Sequence, residues 1–256
     1  MAQSRRVLFV AGEVTPFAET SSIASLARTL PEQLQEAGDF EARVMMPCYG
    51  NIDEREHSLH EVIRLSGTDV PMGDDTESLT VKVASVPDVR LQVYFMDHDT
   101  YFGADKGAIV DESASLEDVL RRALFFNRAA LETIRKLRWG PDLIHSFGWM
   151  SGLIPLLLST EYGDDELLST AEAIFTPDDQ DPGTQISADL AQTVGLPVDG
   201  NVPATFSNTG AHYADASIHP PGTTVADEGS QFNPEAAQRG EQLASLYDQM
   251  LNEVPA

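Results

Sequence analysis

Two short segments place polar side chains directly after apolar runs of the kind that form buried strands. The first segment follows Val7–Val10 and leads into a helical pattern that begins at Ser22. Its candidate site residues are Glu13, Glu19, Thr20, Ser21 and Ser22. The second segment follows Leu143–Ile144 and adds the candidates His145, Phe147, Gly148 and Trp149. Because ligands bind beyond the carboxyl ends of parallel strands and helix N-termini attract anions, these residues predict one ligand crevice.

The spacing of apolar residues predicts alternating strands and helices, the pattern of an α/β fold. The predicted strands are Arg5–Val10, Ala42–Met46, Val62–Leu65, Leu79–Val86, Arg90–Phe95, Leu143–His145 and Ala173–Phe175. The predicted helices are Ser22–Ala37, Leu116–Leu137, Gly148–Leu158 and Pro234–Val254. We therefore expect a three-layer, Rossmann-like fold with a mostly parallel sheet and a β-hairpin insertion across Val62–Phe95.

The chain is expected to divide into a large domain, a linker and a terminal helix. Residues 1–218 hold all the predicted strands, and residues 219–233 have the composition of a linker. Residues 234–256 are predicted to form an amphipathic helix with Leu243, Tyr247 and Met250 on one side. We expect such a helix to pack against its own domain, a protein partner or a second copy of the chain.

The chain is strongly acidic, with a formal net charge of −25 and an isoelectric point of about 4.3. Its acidic residues are spread along the sequence, whereas the lysines are Lys82, Lys106 and Lys136. Such a field repels nucleic acid and anionic membranes, so neither is expected as a partner. The composition is typical of a halophilic-type surface in a high-salt cytoplasm, where cations screen self-repulsion. The alternative is a docking surface for a basic partner.

Cysteine usage and hydropathy also favour a cytoplasmic protein. The single cysteine, Cys48, excludes intrachain disulfides and any multi-cysteine metal site. No apolar run approaches the ~20 residues of a membrane-spanning helix. The residues at the start of the chain, Met1–Arg6, are too few for a signal peptide.

Several longer segments resemble, in the same order, the N-terminal domain of bacterial glycogen synthases and plant starch synthases. They read VLFVAGEVTPFAET, RVMMPCYG, QVYFMDH, RALFFNRAALETIRKLRWGPDLIH, GWMSGLIP and AHYADASI, within about Arg5 to Ile218. HSLHEVIRLSG and KVASV resemble a short-chain variant of the same family. The resemblance implies a relative of retaining glycosyltransferases that move glucose from ADP-glucose to an α-1,4-glucan. It also implies one half of a fold in which two doubly wound domains face each other across a cleft.

The first loop departs from the family pattern where the sugar nucleotide binds. The family has Lys-Thr-Gly-Gly, in which the lysine pairs with a phosphate and the glycines admit the ligand to the backbone. This chain has Glu19-Thr20-Ser21-Ser22 at these positions. The glutamate reverses a charge, and one like-charge contact at ~4 Å costs about 4 kcal/mol at an effective dielectric of ~20. The serines add Cβ atoms where the family has none.

The second motif departs in the same direction. The family's His-x-His-Asp-Trp places its second histidine beside the sugar, but this chain reads His145-Ser146-Phe147-Gly148-Trp149. The side chains of Phe147 and Gly148 neither donate a directed hydrogen bond nor transfer a proton. No residue is therefore predicted to be catalytic, and the candidates are interpreted as a vestigial crevice. His145 is interpreted as a hydrogen-bonded structural histidine or a pocket-lining residue, and Trp149 as a packing residue.

Other titratable clusters have a structural interpretation. Asp97-His98-Asp99 fits a turn as well as a cation site, and His57 and His60 lie in a polar segment. We predict neither a metal site nor a cofactor.

Three functional hypotheses remain open. The first is a single-domain glycogen/starch synthase-like protein without independent glucosyl transfer, in which binding of ADP-glucose or α-glucan is weak or lost. The second is a half-enzyme that is completed by a separate C-terminal domain. The third is a regulatory module of glycogen metabolism that binds a protein or a glucan. In that module the tyrosines Tyr49, Tyr94, Tyr101 and Tyr162 would stack on sugars.

The acidic surface predicts that folding depends on salt. In dilute buffer the chain is expected to unfold, and in ~2 M sodium chloride to stay folded, because concentrated cations screen its self-repulsion. Circular dichroism during a salt titration measures this. Equal stability in the two buffers would contradict the high-salt interpretation.

Overall fold

The computed structural model describes residues 4–37, 40–87, 89, 91–104, 106–111, 113–183, 185–198, 203–223 and 230–253. Within these ranges ten strands form one sheet. The strands are β1 (Arg5–Ala11), β2 (Phe40–Pro47), β3 (His60–Glu61), β4 (Thr68–Met72), β5 (Asp75–Ser85), β6 (Gln92–Asp97), β7 (Leu143–Phe147), β8 (Glu172–Thr176), β9 (Ala216–His219) and β10 (Ser230–Gln231). The helices are α1 (Ser22–Ala37), α2 (Asp99–Phe102), α3 (Leu116–Leu137), α4 (Ile154–Ser159), α5 (Ala188–Val194), α6 (Phe206–Tyr213) and α7 (Arg239–Glu253).

The sheet is parallel except for its insertion. The strand order is β10-β9-β8-β7-β1-β2-β6-β5-β3, and β4 pairs with β5. β5 runs antiparallel to β3, β4 and β6, whereas the other pairs are parallel. This confirms the predicted mostly parallel sheet with a hairpin insertion. The chain passes from β1 to β2 on one side and later enters β7 on the other, so the strand order reverses beside β1.

Helices cover both faces of the sheet, as a three-layer fold requires. On β6 the ring of Phe95 meets Phe17, in the loop before α1, edge to face with 4.9 Å between centroids. The next residue, Met96, contacts the Thr133 hydroxyl of α3 through its sulfur at 3.5 Å. Successive strand residues point to opposite faces, so α1 and α3 lie on opposite sides of the sheet.

One predicted strand is wrong. Val62–Leu65 forms a turn, in which the backbone N–H groups of Leu65 and Ser66 both donate to the Val62 carbonyl, at 2.8 and 3.0 Å. The strand of this region is the short β3 just before it, and the side chain of Ile63 is 83% exposed. The apolar residues of this segment suggested a buried strand, but within Val62–Leu65 only Leu65 is fully buried.

The predicted helix Gly148–Leu158 is also interrupted. Trp149–Ser151 form a single 3-10 turn, and α4 begins at Ile154. Gly148 has a φ of 73°, a left-handed conformation that lies outside the α-helical region. Arg90 and Val254, the outer residues of a predicted strand and a predicted helix, lie outside the described residues.

The terminal helix α7 packs on α1 within the chain. Leu243 and Tyr247 are fully buried, and the Gln33 side chain of α1 donates to the Ala236 carbonyl at 3.0 Å. Gly240 permits this approach, because a Cβ there would lie 2.6 Å from the Gln33 Cβ. In the expected linker, β10 pairs with β9 and Phe232 is buried. The division at 218 and 233 remains a prediction.

None of the helices in the described ranges combines the length and the apolar character needed to cross a membrane.

Candidate functional site

The two predicted segments meet at the carboxyl ends of β1 and β7, where the strand order reverses. The cavity at this point has a volume of about 10 Å³, which is the space of about one water molecule. Its lining residues are Gly12, Glu13, Ile23, Tyr49, Ala108, Phe147, Trp149, Met150 and Asp178. The structure therefore brings Glu13, Phe147 and Trp149 together, and Gly148 lies between the last two in sequence. We call this cavity and its lining the switch-point crevice.

Glu13 connects the end of β1 to the loop before α1. Its carboxylate accepts hydrogen bonds from the Thr20 hydroxyl at 2.7 Å, from the Ser21 hydroxyl at 3.4 Å and from the Thr20 backbone N–H. The Glu13 side chain is buried, whereas Glu19, Thr20 and Ser22 are exposed. The Glu13 carboxylate thus accepts the hydrogen bonds of Thr20 and Ser21, which directly precede α1.

Gly148 allows a second carboxylate, that of Asp178, to reach the crevice. Its backbone N–H donates to the Thr176 carbonyl of β8 at 2.8 Å. The Trp149 N–H donates to Oδ1 of Asp178 at 3.3 Å. A Cβ on residue 148 would lie 2.4 Å from Oδ2 of Asp178, closer than any side chain tolerates. Glycine at this position therefore permits the close approach of Asp178.

Asp178 is a site residue that the sequence did not single out. Burial raises the pKa of its carboxyl group to about 7, the Trp149 N–H opposes this rise, and the carboxylates of Asp181, Asp179 and Glu13 add to it. In the sequence Asp178 belongs to an acidic, turn-rich stretch that resembles an ordinary surface loop. The signal that it matters is its position directly after β8, at the same sheet edge as Glu13.

His145 lies on the other side of the site, away from the crevice lining. Its Nδ1 is 2.7 Å from the Tyr247 hydroxyl of α7, and its Nε2 is 2.8 Å from the Thr176 hydroxyl. The imidazole is fully buried and stacks on Phe147 with 4.0 Å between ring centroids. Burial lowers the pKa of His145 to about 3, so the ring is neutral at ordinary pH. The contacts are those of a structural histidine.

Trp149 packs rather than faces an open cleft. Its side chain is 5% exposed, and its ring lies 5.4 Å from the ring of Phe206 in α6. The indole therefore helps to hold α6 against the end of β7.

The other predicted titratable clusters form local contacts. Asp97 pairs with Lys82 at 2.7 Å, His98 lies 3.2 Å from Glu77, and His57 packs edge-on against Phe17. In the described part of the chain, no group of three or more His, Cys, Asp or Glu side chains has an arrangement that could hold a metal ion.

Charge in the switch-point crevice is one-sided. Glu13 and Asp178 line it, and none of the described lining residues is a lysine or arginine. Arg122 stacks behind the crevice wall, 5.3 Å above the Tyr49 ring, and the Tyr49 hydroxyl donates to the Gly12 carbonyl at 2.7 Å. Tyr49 thereby lies between the Arg122 guanidinium and the cavity.

A mostly parallel sheet with its crevice at the strand reversal defines a doubly wound α/β protein. The family model described as "Starch synthase catalytic domain" matches residues 6–222. The chain therefore belongs to the starch synthase catalytic-domain family.

Individual relatives agree with this family and extend beyond the chain. A glycogen synthase of Chlorobium limicola is 41% identical over 173 residues, which cover 67% of this chain and 35% of the relative. A glycogen synthase of Chlorobaculum tepidum is 38% identical over 176 residues, with the same two coverages. The chain thus matches about one third of the length of these relatives.

A solved structure supports the fold. The catalytic domain of starch synthase IV from Arabidopsis thaliana, bound to ADP and acarbose, superposes with a TM-score of 0.69 at 18% sequence identity. The match covers 84% of this chain and 45% of that one. The architecture is therefore that of one Rossmann-like half of this glycosyltransferase fold.

The raised pKa of Asp178 predicts a pH-dependent stability. The folded protein holds a proton that an unfolded aspartate releases near its usual pKa of 3.8, so stability falls as the pH rises from about 4 to 7. Asp178→Asn keeps an oxygen that accepts from the Trp149 N–H, and it removes the fall in stability because the amide does not titrate. The variant is expected to exceed the wild type at about pH 8 by about 1 to 4 kcal/mol, and to match it near pH 4. Denaturant unfolding at both pH values measures the difference.

Asp179→Asn is the matched control, since it removes the same charge from an exposed neighbour. Equal stabilisation by the two substitutions at pH 8 would show that only the net charge matters.

Proposed function

We propose that this chain is a glycogen/starch synthase-like protein that does not transfer glucose from ADP-glucose by itself. The observation that carries the proposal is the switch-point crevice. It has room for about one water molecule, and its lining includes two carboxyl groups. In a doubly wound sheet, a nucleotide binds at this point of the fold. In this chain its own side chains surround the point closely and leave a cavity of about 10 Å³.

Charge opposes a sugar nucleotide as strongly as shape does. A contact of a phosphate with the Glu13 carboxylate at ~4 Å would cost about 4 kcal/mol at an effective dielectric of ~20. Asp178, whose pKa burial raises to about 7, adds to this cost only in its ionised form. Glu19 adds a further negative charge to the exposed part of the loop. Among the lining residues in the described ranges, none supplies the cation that would offset these terms.

The second motif places no proton-transfer group in the lining, where the carboxyl groups are those of Glu13 and Asp178. Phe147 and Trp149 present apolar rings to the cavity, and both nitrogens of His145 are engaged outside it. A sugar at the end of β7 would therefore meet Phe147 and Gly148, whose side chains neither donate a directed hydrogen bond nor transfer a proton.

A half-enzyme is the alternative that the relatives' length favours. The chain covers 45% of the starch synthase IV domain and about 35% of the glycogen synthases that it matches. A separate C-terminal domain could then supply the remaining contacts to ADP-glucose and glucan. Its docking, or that of a second copy, would use a surface beside α7, because Leu243 and Tyr247 are already buried in this chain. Restored transfer on co-expression with such a domain distinguishes this alternative.

A glucan-binding module is favoured by one surface groove. Its volume is about 740 Å³, and its lining includes the uncharged polar residues Ser159, Thr160 and Gln192 together with Tyr213. Hydroxyl and amide groups beside an aromatic ring suit an oligosaccharide. Of the tyrosines first considered, Tyr49, Tyr101 and Tyr162 are buried and are not available for stacking. Slower migration of the chain in a glucan-containing gel distinguishes this role.

We also propose that the protein works in a high-salt cytoplasm. The net charge of −25 and the single free, buried Cys48 support this location.

The proposed lack of transfer is tested with radiolabelled ADP-glucose and glycogen. In concentrated salt, the folded chain is expected to transfer no label above the no-protein background, because the crevice cannot hold the donor. The Chlorobium limicola glycogen synthase, assayed in its own buffer, serves as the positive control. Label in the glycogen fraction from the purified chain alone would refute the proposal.

A further inference from the structure

A second small pocket lies beside the switch-point crevice, on the far side of the loop 106–111. Its volume is about 90 Å³, and it is bordered by Lys106, Ile109, Asp111, Asp118, Val119 and Arg122. The two sites share this loop as a wall, since Ala108 lines the crevice while Gly107 and Ile109 line the pocket. We call it the Arg122 pocket.

Arg122 carries a buried charge with an incomplete set of hydrogen bonds. Its side chain is 8% exposed, and its guanidinium stacks on the rings of Tyr49 and Phe102 at 5.3 and 5.6 Å. Nη2 donates to the Gly107 carbonyl, but the buried Nε–H has no acceptor among the residues that the structure describes. Over the described ranges, no carboxylate forms a salt bridge with Arg122. A buried cation with an unused donor is costly unless an anion completes it.

The acidic residues of the pocket accept hydrogen bonds from neighbouring serines rather than from Arg122. Asp111 accepts from the backbone N–H of Ser113 at 2.7 Å and from the Ser113 hydroxyl, and Asp118 accepts from the Ser115 hydroxyl at 2.7 Å. Both carboxylates are exposed at the rim and close local turns. They therefore do not neutralise Arg122, and they repel a ligand with two negative charges about twice as strongly as a ligand with one.

We propose that the Arg122 pocket binds a singly charged carboxylate that has a short apolar body. The planar edge of a guanidinium matches the two oxygens of a carboxylate, and Nε–H is the donor left for it. Ile109 and Val119 supply apolar walls for the body of the ligand. By the measure in which about 10 to 15 Å³ holds one water molecule, this volume holds about six to nine, which accommodates a carboxylate with a short alkyl chain. The carboxylate belongs either to a small organic acid or to a side chain of a protein partner.

The Arg122 Nε–H resonance reports directly on this site. The ¹⁵N-labelled chain is titrated with butyrate, with N-acetylglutamate α-amide and with inorganic phosphate, at constant sodium concentration. The resonance is expected to shift saturably with the carboxylates, and only weakly and linearly with phosphate. Tighter saturation by butyrate supports a free acid as the ligand, and tighter saturation by the glutamate derivative supports a protein carboxylate.

Substitutions separate binding from folding. Arg122→Met is expected to remove the resonance and to abolish the carboxylate-dependent rise in melting temperature. Arg121→Met is the control on the same helix, because Arg121 pairs with Glu117 at 2.8 Å on the surface, and it is expected to leave that rise unchanged. Ala114→Leu fills the pocket from its exposed rim with Arg122 in place, and is expected to abolish the saturable shift.

The proposal is overturned if butyrate gives no saturable shift in the wild-type chain. It is also overturned if phosphate saturates the site as tightly as butyrate, or if Ala114→Leu binds as well as the wild type.

Discussion

The approach of the Asp178 carboxylate to Gly148, beside buried Glu13, is the contact on which the crevice depends. It requires the left-handed backbone of Gly148 and the absence of a Cβ, which would lie 2.4 Å from Oδ2. The same contact orients the Trp149 N–H, and the 3-10 turn that follows leads into α4. Two carboxylates then face a cavity of about 10 Å³. Shape and charge at the strand reversal are therefore set together, and both oppose an anionic ligand.

The long elements of the fold could be predicted because their patterns are local. α1 and α3 have the same bounds in the structure as in the prediction, and β1 and β2 differ from it by one or two residues at an end. Short elements were missed or misjudged, since α5, α6 and β9 have at most eight residues and are formed through tertiary packing. Val62–Leu65 shows the opposite error: a strand was predicted from apolar residues that form a turn.

The candidate site was predictable only in part, because its geometry depends on contacts distant in sequence. Glu13 and the Gly148 region follow strands, so their meeting at one sheet edge could be expected. The role of Asp178 and the hydrogen-bond partners of His145 could not be, because each depends on another strand or helix. Tyr247, which lies 102 residues from His145 in sequence, provides one of the two hydrogen bonds that hold the imidazole. The terminal helix thus completes the core of the sheet and fixes a histidine that the motif alone associates with a ligand.

The central claim is that the crevice no longer accepts a sugar nucleotide. The most direct measurement is a calorimetric titration of the folded chain with ADP-glucose in concentrated salt, with ADP as competitor. The structure predicts no saturable heat up to millimolar ligand, because the crevice has neither the volume nor the cation that a diphosphate requires. A saturable one-to-one isotherm that ADP displaces would contradict the account.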